Sequence, residues 1–169
     1  MRERFLIAIC LLVCWAAAAA QTKGPQTKIE TKWHCPGATT VHKLDVGDAP
    51  DHIYMIQQGG CSAEASKTGE KSGAFTEFHD GWKETFSFRG HFNATMEDGD
   101  MVFYTYDGSF DPKKPLSNKW KIAGGTGKYK AAKGMGSCTG KANDDHSFDW
   151  KCNGTIAVGA KAMAAKEKS

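Results

Sequence analysis

The sequence predicts an all-β fold, and three observations lead to that prediction. No stretch of the chain repeats apolar residues with a helical period. Eight or nine segments instead alternate apolar and polar residues, as half-buried strands do. Short clusters rich in Gly, Asp, Asn and Pro separate these segments and predict tight turns. Short strands and turns without interleaved helices indicate a β-sandwich or a β-barrel.

Both ends of the chain are expected to lie outside this domain. Residues 1–20 begin with Arg2 and Arg4, continue as an apolar run and end in alanines, which is the layout of a secretory signal peptide. An uncleaved membrane anchor and a lipoprotein leader are the alternatives, but the apolar run is shorter than the roughly 20 residues that a span needs. We expect residues 21–26 to be a flexible lead-in and residues 159–169 to be a disordered Ala/Lys tail.

Charge and length narrow the class of protein. The chain has 22 Lys and Arg against 19 Asp and Glu, and the basic residues are spread along it, whereas a nucleic-acid footprint needs a clustered basic face. We therefore expect no nucleic-acid partner, and no membrane span once the signal is cleaved. About 150 residues would remain, which is enough for one domain with a sizeable core. Its location would be the periplasm or the extracellular space.

Nine segments within residues 27–158 are candidate strands of a single domain. The first places Ile29, Trp33 and Cys35 on one face and stops at Pro36. Residues 64–73 are small and charged and predict a loop, Asp80-Gly81 predicts a turn, and Asp98-Gly99 is the strongest hairpin signal. In order, the predicted strands cover residues 27–35, 41–46, 52–63, 74–79, 82–96, 100–110, 118–123, 134–141 and 147–158.

Four cysteines remain after the leader, and an even number in an exported chain predicts two disulfides. Of the three possible pairings, the local ones, Cys35–Cys61 and Cys138–Cys152, are favoured. A zinc site is the alternative, but no Cys lies two to four residues from another Cys or from a second His. We expect no metal and no cofactor.

The Asp98-Gly99 hairpin suggests a ligand-binding face. With a two-residue loop, Met96 would face Met101, and the register back from there would sort the side chains onto two faces. Either the apolar face fills the interior and the polar face meets water, or the polar face lines a cavity mouth that suits a small ligand. A loop one residue longer would dissolve the polar set. The ligand-binding candidates on that polar face are Arg89, His91, Tyr104 and Tyr106.

Glu77 and His79 could form an acid–base pair because residues two apart share a strand face. With Arg89 nearby they would form a proton-transfer group, so these three are the candidate catalytic residues. A solvated polar face is the competing interpretation. No known metalloprotease, hydrolase or cysteine-nucleophile motif is present, so no residue is assigned a catalytic role.

The segment from Ile122 to Gly134, I-A-G-G-T-G-K-Y-x-x-x-x-G, resembles the signature shared by plant allene oxide cyclases and dirigent proteins. The wider order, with Gly60-Cys61, residues 76–79 and residues 98–100, resembles small exported bacterial proteins of the same barrel type, mostly of unassigned activity. The resemblance implies one antiparallel barrel of about eight strands, lipocalin-like in general shape. The plant enzymes' active-site motifs have no match here, so their chemistry is not implied.

The same glycine-rich segment could be a structural turn or a phosphate-binding loop. A phosphate loop needs a helix after it, and Gly134 and Gly136 disfavour one. The turn is therefore the preferred interpretation.

Three functions follow from these expectations. The first is an exported, non-catalytic barrel that binds a small, partly apolar molecule. The second is a cyclase- or isomerase-type enzyme acting on a small hydrophobic substrate inside the barrel. The third is a structural or stress-related envelope protein without a ligand. An interior closed by phenylalanines, with no cavity, would exclude the first two.

Overall fold

The computed structural model describes residues 25–159, so the predicted signal peptide, residues 21–24 of the lead-in and residues 160–169 of the Ala/Lys tail lie outside the described residues. The domain is all-β, as predicted, and a 3₁₀ turn at Gly127–Tyr129 joins its seventh and eighth strands. Within residues 25–159, no helix is long and apolar enough to cross a membrane. The strands are β1 Gln26–Cys35, β2 Thr40–Asp45, β3 His52–Ser66, β4 Glu70–Trp82, β5 Thr85–Met96, β6 Met101–Phe110, β7 Leu116–Gly125, β8 Lys133–Ala142 and β9 Phe148–Ala157.

Eight of these strands close into an antiparallel barrel. Each strand from β3 to β9 pairs with the next along the chain, β9 pairs with β1, and β1 pairs back with β3. The second strand, β2, is the additional one: it pairs only with the first half of β3, through residues 53–58. The second half of β3, residues 62–66, pairs with β1 and forms the closing seam. Where β1 and β3 pair at the seam, neither strand has a free edge.

Both predicted disulfides are present. Cys35–Cys61 joins β1 to β3 beside the closing seam, and Cys138–Cys152 links residues that face each other directly on β8 and β9. Each bond closes a local loop, of sequence separation 26 and 14 respectively. One bond therefore cross-links the closing pair β1–β3, and the other cross-links the pair β8–β9.

The predicted register of the β5–β6 hairpin is wrong by one residue. The amide of Met96 donates to the carbonyl of Asp100 at 2.8 Å, and Gly99 adopts a φ of 84°. The loop therefore holds three residues, in the arrangement where a turn is followed by a left-handed glycine. As a result Thr95, not Met96, faces Met101. Because side chains alternate along a strand, this shift moves all of β6 to the opposite face relative to β5.

Two other connections differ from expectation. Only residues 67–69 separate β3 from β4, so most of the loop predicted over residues 64–73 is strand. Its charge misled the prediction, because Glu70 lies buried inside the barrel, where hydroxyl groups surround it. Asp80-Gly81 is not a turn: β4 continues through Trp82, and Lys83 makes the reversal with a φ of 55°. Gly81 instead gives room to Phe86, since a Cβ there would lie 2.6 Å from the Cβ of that side chain.

The glycine-rich segment is a structural turn, as preferred from the sequence. Gly127 has a φ of 46°, and a Cβ there would meet the carboxylate of Asp100. That carboxylate accepts from the Thr126 hydroxyl at 3.2 Å and from the Lys128 amide at 3.3 Å, which fastens the turn to the β5–β6 hairpin. Tyr129 then enters the core and is only 7% exposed. It is part of the hydrophobic core cluster.

Candidate functional site

The interior of the barrel holds a cavity of about 130 Å³. Its wall is mainly aromatic, and the two disulfides contribute to it. A cavity of about 150 Å³ with apolar walls binds benzene, so this space suits a molecule of roughly one ring. The interior is not closed by phenylalanines, which keeps a binding or catalytic function open. The aromatic residues of the wall are Trp33, Phe75, Phe86, Phe88, Phe92, Tyr104, Tyr106, Trp120, Phe148 and Trp150.

Four polar side chains form one hydrogen-bonded group on this wall. Nε2 of His79 lies 2.8 Å from Oε2 of Glu77, so the predicted carboxylate–imidazole contact exists. The hydroxyl of Tyr106 donates to Oε1 of Glu77 at 2.6 Å. The amide nitrogen of Gln57 lies 3.4 Å from Oε2 of Glu77 and 2.6 Å from Nε2 of His79. We call Gln57, Glu77, His79 and Tyr106 the Glu77 group.

Strand register explains why the Glu77 group converges. Gln57, Glu77, Gly90 and Tyr106 face one another in turn across β3, β4, β5 and β6. A Cβ at Gly90 would lie 2.6 Å from the Tyr106 hydroxyl oxygen, so only the missing side chain lets the tyrosine cross β5. His79, two residues beyond Glu77, shares its inward face.

Burial and a neighbouring negative charge keep the Tyr106 hydroxyl protonated, so that it remains a hydrogen-bond donor. Burial raises the pKa of Tyr106 far above its usual value, and the charge of Glu77 raises it further. His79 is 3% exposed, and its Nδ1 has no hydrogen-bond partner. Nδ1 is an acceptor when Nε2 carries the ring proton and a donor when Nδ1 carries it. The group therefore offers one buried polar atom that the protein leaves without a partner.

A second carboxylate, Glu70, lies in the same cavity. Its Oε2 accepts from the hydroxyls of Thr31 at 3.2 Å and Thr68 at 2.5 Å, and also from the hydroxyl of Ser66. Tyr104 donates to Oε1 at 3.4 Å. Burial, and then the charge of Glu70, raise the pKa of Tyr104 far above its usual value, so this tyrosine also stays protonated. Glu70 itself is 4% exposed.

The structure separates the four residues predicted to share a ligand-binding face. Tyr104 and Tyr106 line the cavity, whereas Arg89 and His91 point outward and are exposed. The extra loop residue in the β5–β6 hairpin is the cause. The guanidinium of Arg89 lies 5.1 Å from the ring centre of Phe78 on the outer surface. The predicted association of Arg89 with Glu77 and His79 is therefore also absent.

Three cavity residues with functional potential, Gln57, Glu70 and Trp120, were not among the residues predicted from the sequence. Glu70 fell in a segment predicted to be a loop, and Gln57 was one polar residue in a mixed strand. Trp120 faces Tyr106 across β6 and β7, and its Nε1 is buried without a partner. Its ring lies over Gly136 and Gly154, where added Cβ atoms would lie 2.3 and 2.4 Å from the ring. The spacing of these strand glycines opposite a tryptophan was the available clue.

Outside the barrel, His34, Glu64 and Asp149 bring potential metal-ligand atoms within 4.8 Å of one another. Nδ1 of His34 lies 2.8 Å from Oδ1 of Asp149, which faces it across β1 and β9. The Asp149 carboxylate raises the pKa of His34 by accepting this hydrogen bond. An exposed ion pair accounts for this group without a metal.

The comparisons with known proteins agree with the fold. No protein-family model and no curated protein matches the sequence. Among solved structures, the pterocarpan synthase dirigent protein PsPTS1 superposes with a TM-score of 0.54 at 10% identity, over 81% of this chain and 97% of that one. The dirigent protein GePTS1, also a pterocarpan synthase, gives a TM-score of 0.55 at 11% identity, over 84% of this chain and 93% of that one. At such identities the likeness shows the fold alone: this chain has a dirigent-like barrel.

Proposed function

We propose that this protein is an exported barrel that binds a small, partly apolar ligand in its interior without changing it. The observation that carries this proposal is the aromatic cavity with the Glu77 group on its wall. Small-molecule sites are typically concave and apolar, with a few polar groups that fix the orientation of the ligand. The two disulfides support export, because such bonds persist in oxidising compartments such as the periplasm or the extracellular space.

Unused polar atoms support a ligand over an empty structural barrel. Nδ1 of His79 and Nε1 of Trp120 are buried on the cavity wall without partners. Buried polar atoms are nearly always hydrogen-bonded, so each exception calls for an explanation. A ligand with one polar end would supply partners, whereas a purely structural envelope protein gains nothing from them.

Native mass spectrometry of the protein taken from its own compartment tests the proposal. We expect a bound mass that disappears on denaturation. Ala38 lines the cavity from the β1–β2 loop, so Ala38→Trp should fill the space and abolish the bound mass. Ala74→Trp adds the same bulk at an exposed position of β4 and should retain it. A wild-type protein that carries nothing, or a bound mass that Ala38→Trp leaves unchanged, would contradict the proposal.

A second candidate is a cyclase- or isomerase-type enzyme, favoured by the 2.8 Å contact between Glu77 and His79. In an isomerisation, the Glu77 carboxylate would take a proton from one ligand carbon and the proton would return at another, with no co-reactant. The structural neighbours are dirigent proteins named as pterocarpan synthases, which keeps chemistry inside such a barrel a candidate. Returning the extracted ligand to fresh protein discriminates: a product formed by wild type and not by Glu77→Gln supports the enzyme, and an unchanged ligand supports simple binding.

A further inference from the structure

The cavity of this barrel is negatively charged. Glu70 and Glu77 both line it, and among residues 25–159 no Lys or Arg does. Among the described residues, lysines form ion pairs with carboxylates that do not line the cavity, those of Glu30, Asp98 and Asp111. His79 is the one side chain of the lining that could carry a positive charge, so two carboxylates face at most one cation. At least one carboxylate of the interior therefore has no opposite charge.

Hydrogen bonds stabilise these carboxylates but do not neutralise them. The partners of Glu70 are the hydroxyls of threonine, serine and tyrosine. The two cavity tyrosines stay neutral, as their raised pKa values indicate. A buried charge without an opposite charge is costly, so a cation that enters the cavity gains an attraction that water outside would screen.

The remaining wall also suits a cation. Trp33 and Trp120, both about 7% exposed, and Trp150 line the cavity. The faces of tryptophan rings attract cations, and the attraction is stronger where water is excluded. Tyr104 and Trp120 pack edge to face, with their ring centres 5.4 Å apart, and both line the cavity.

Two polar atoms without hydrogen-bond partners complete the pattern. Nδ1 of His79 and Oδ1 of Asn118 are both buried without partners, and both residues line the cavity. They belong to one row of inward residues across β4 to β7, with Phe88 and Gly108 between them. A primary ammonium group donates three hydrogen bonds and accepts none. It could therefore use the Asn118 oxygen and a carboxylate together.

We propose that the ligand is a small organic cation, an ammonium group on a body of about one ring, held by Glu77 and Glu70 among the tryptophans. This inference rests on the proposed binding function and names the chemical class of its ligand. The size follows from the cavity of about 130 Å³. The charge follows from the two carboxylates, the aromatic wall and the unpartnered oxygen of Asn118.

Three probes of nearly equal size test the charge: benzylamine as the cation, benzyl alcohol as its neutral counterpart and benzoate as the anion. In calorimetric titrations of the wild-type protein at pH 7, we expect benzylamine to bind at least tenfold more tightly than benzyl alcohol, and benzoate to bind most weakly. Ala38→Trp should abolish benzylamine binding if the probe occupies the cavity. Benzyl alcohol or benzoate binding as tightly as benzylamine would overturn the inference and leave the proposed binding function intact.

Single substitutions test whether the charge of Glu77 is what attracts the cation. Glu77→Gln should weaken benzylamine at least tenfold and change benzyl alcohol less than threefold, while Glu84→Gln, the same change at an exposed turn residue, should alter neither. Equal weakening of both probes by Glu77→Gln would contradict a charge-specific role. The wild-type comparison stands even if Glu77→Gln does not fold. Failure of all three probes overturns the inference, and the co-purified mass then decides separately whether the binding function fails as well.

Discussion

The Tyr106 hydroxyl donates to Oε1 of Glu77 at 2.6 Å although an entire strand, β5, separates their own strands. Gly90 lies between them in the register and provides the space. The side chains therefore meet by lying along the barrel wall, not by reaching across its interior. This arrangement leaves the centre of the barrel free while it brings a buried carboxylate its hydrogen-bond donor.

Removing the Tyr106 hydroxyl should destabilise the fold. Tyr106→Phe leaves the ring in place and deprives Glu77 of one hydrogen bond. Because hydrogen bonds to charged groups contribute about 1.5–3 kcal/mol, we expect the free energy of unfolding to fall by about 2 kcal/mol in urea titrations. Tyr54→Phe on the outer surface is the matched control and should change it by less than about 0.5 kcal/mol. Equal effects of the two variants would show that the buried hydroxyl has no special role.

A methyl group at Gly90 should disrupt the same contact. In Gly90→Ala the new Cβ would lie 2.6 Å from both the Tyr106 hydroxyl oxygen and the backbone carbonyl oxygen of Thr76. Overpacking of this kind costs about 1–3 kcal/mol. Gly60→Ala is the control, since its nearest neighbour is the Gly73 carbonyl oxygen at 3.7 Å. That variant should be neutral or slightly stabilising, because strand glycines cost entropy.

A double mutant separates the two groups that a Cβ at Gly90 would meet, the Tyr106 hydroxyl and the Thr76 carbonyl oxygen. In the background of Tyr106→Ala, the Gly90→Ala penalty should shrink but not vanish, because the Thr76 carbonyl remains. The coupling free energy from the double-mutant cycle measures the tyrosine's share. A coupling of zero would mean that Tyr106 moves away at no cost, and that Gly90 is not what holds it against Glu77.

The sequence predicted the barrel well because its signals are local. Alternation and turn residues mark strands within a few positions, and the local cysteine pairs each link neighbouring strands. The prediction of the ligand-binding face, in contrast, depended on the strand register of one hairpin, β5–β6. Whether Asp98-Gly99 forms the whole loop or only its last two residues depends on the backbone of Glu97, and no residue type there decides it. The shift of this register by one residue places Arg89 and His91 outside the cavity that Tyr104 and Tyr106 line.

The contact between Glu77 and His79 was predictable for a different reason. Both residues belong to one strand, so their common face needs no register between strands. Glu70 could not be found in this way. Its hydroxyl partners come from β1, the end of β3, the β3–β4 turn and β6, and only the closed barrel brings all of them together.

The disulfides should stabilise the barrel through the loops that they close. In the chain-entropy model a loop of about 15 residues contributes about 3 kcal/mol, and one of about 27 residues about 3.5 kcal/mol. Replacing Cys138 and Cys152 by alanine should therefore lower the free energy of unfolding slightly less than replacing Cys35 and Cys61. Urea titrations of the two double variants, without reductant, measure the difference. A loss below about 1 kcal/mol for either pair would contradict an entropic contribution of this size.

Stability should also depend on pH through His52. Its Nδ1 lies 2.5 Å from Asp48 and its Nε2 3.0 Å from Asp80, and only the imidazolium can donate from both nitrogens. Burial lowers the pKa of His52, but the hydrogen bonds to the two carboxylates and their charges outweigh it and raise the pKa above its usual value. The ring also stacks on Trp82 at 3.8 Å, where a positive charge is favoured.

Because the pKa of His52 is raised on folding, its contribution to stability is complete below the unfolded value of about 6.5 and is lost as the pH rises through the folded value. The hydrogen bond from His52 lowers the pKa of Asp48, so that contribution is lost at the other end, as the pH falls below about 4. The pair should therefore stabilise the fold most between about pH 4 and 6.5. His52→Gln should lower the urea midpoint more at pH 5.5 than at pH 8.5. The exposed His42→Gln should give the same small change at both, and an equal effect of His52→Gln at the two pH values would show that its charge does not stabilise the folded state.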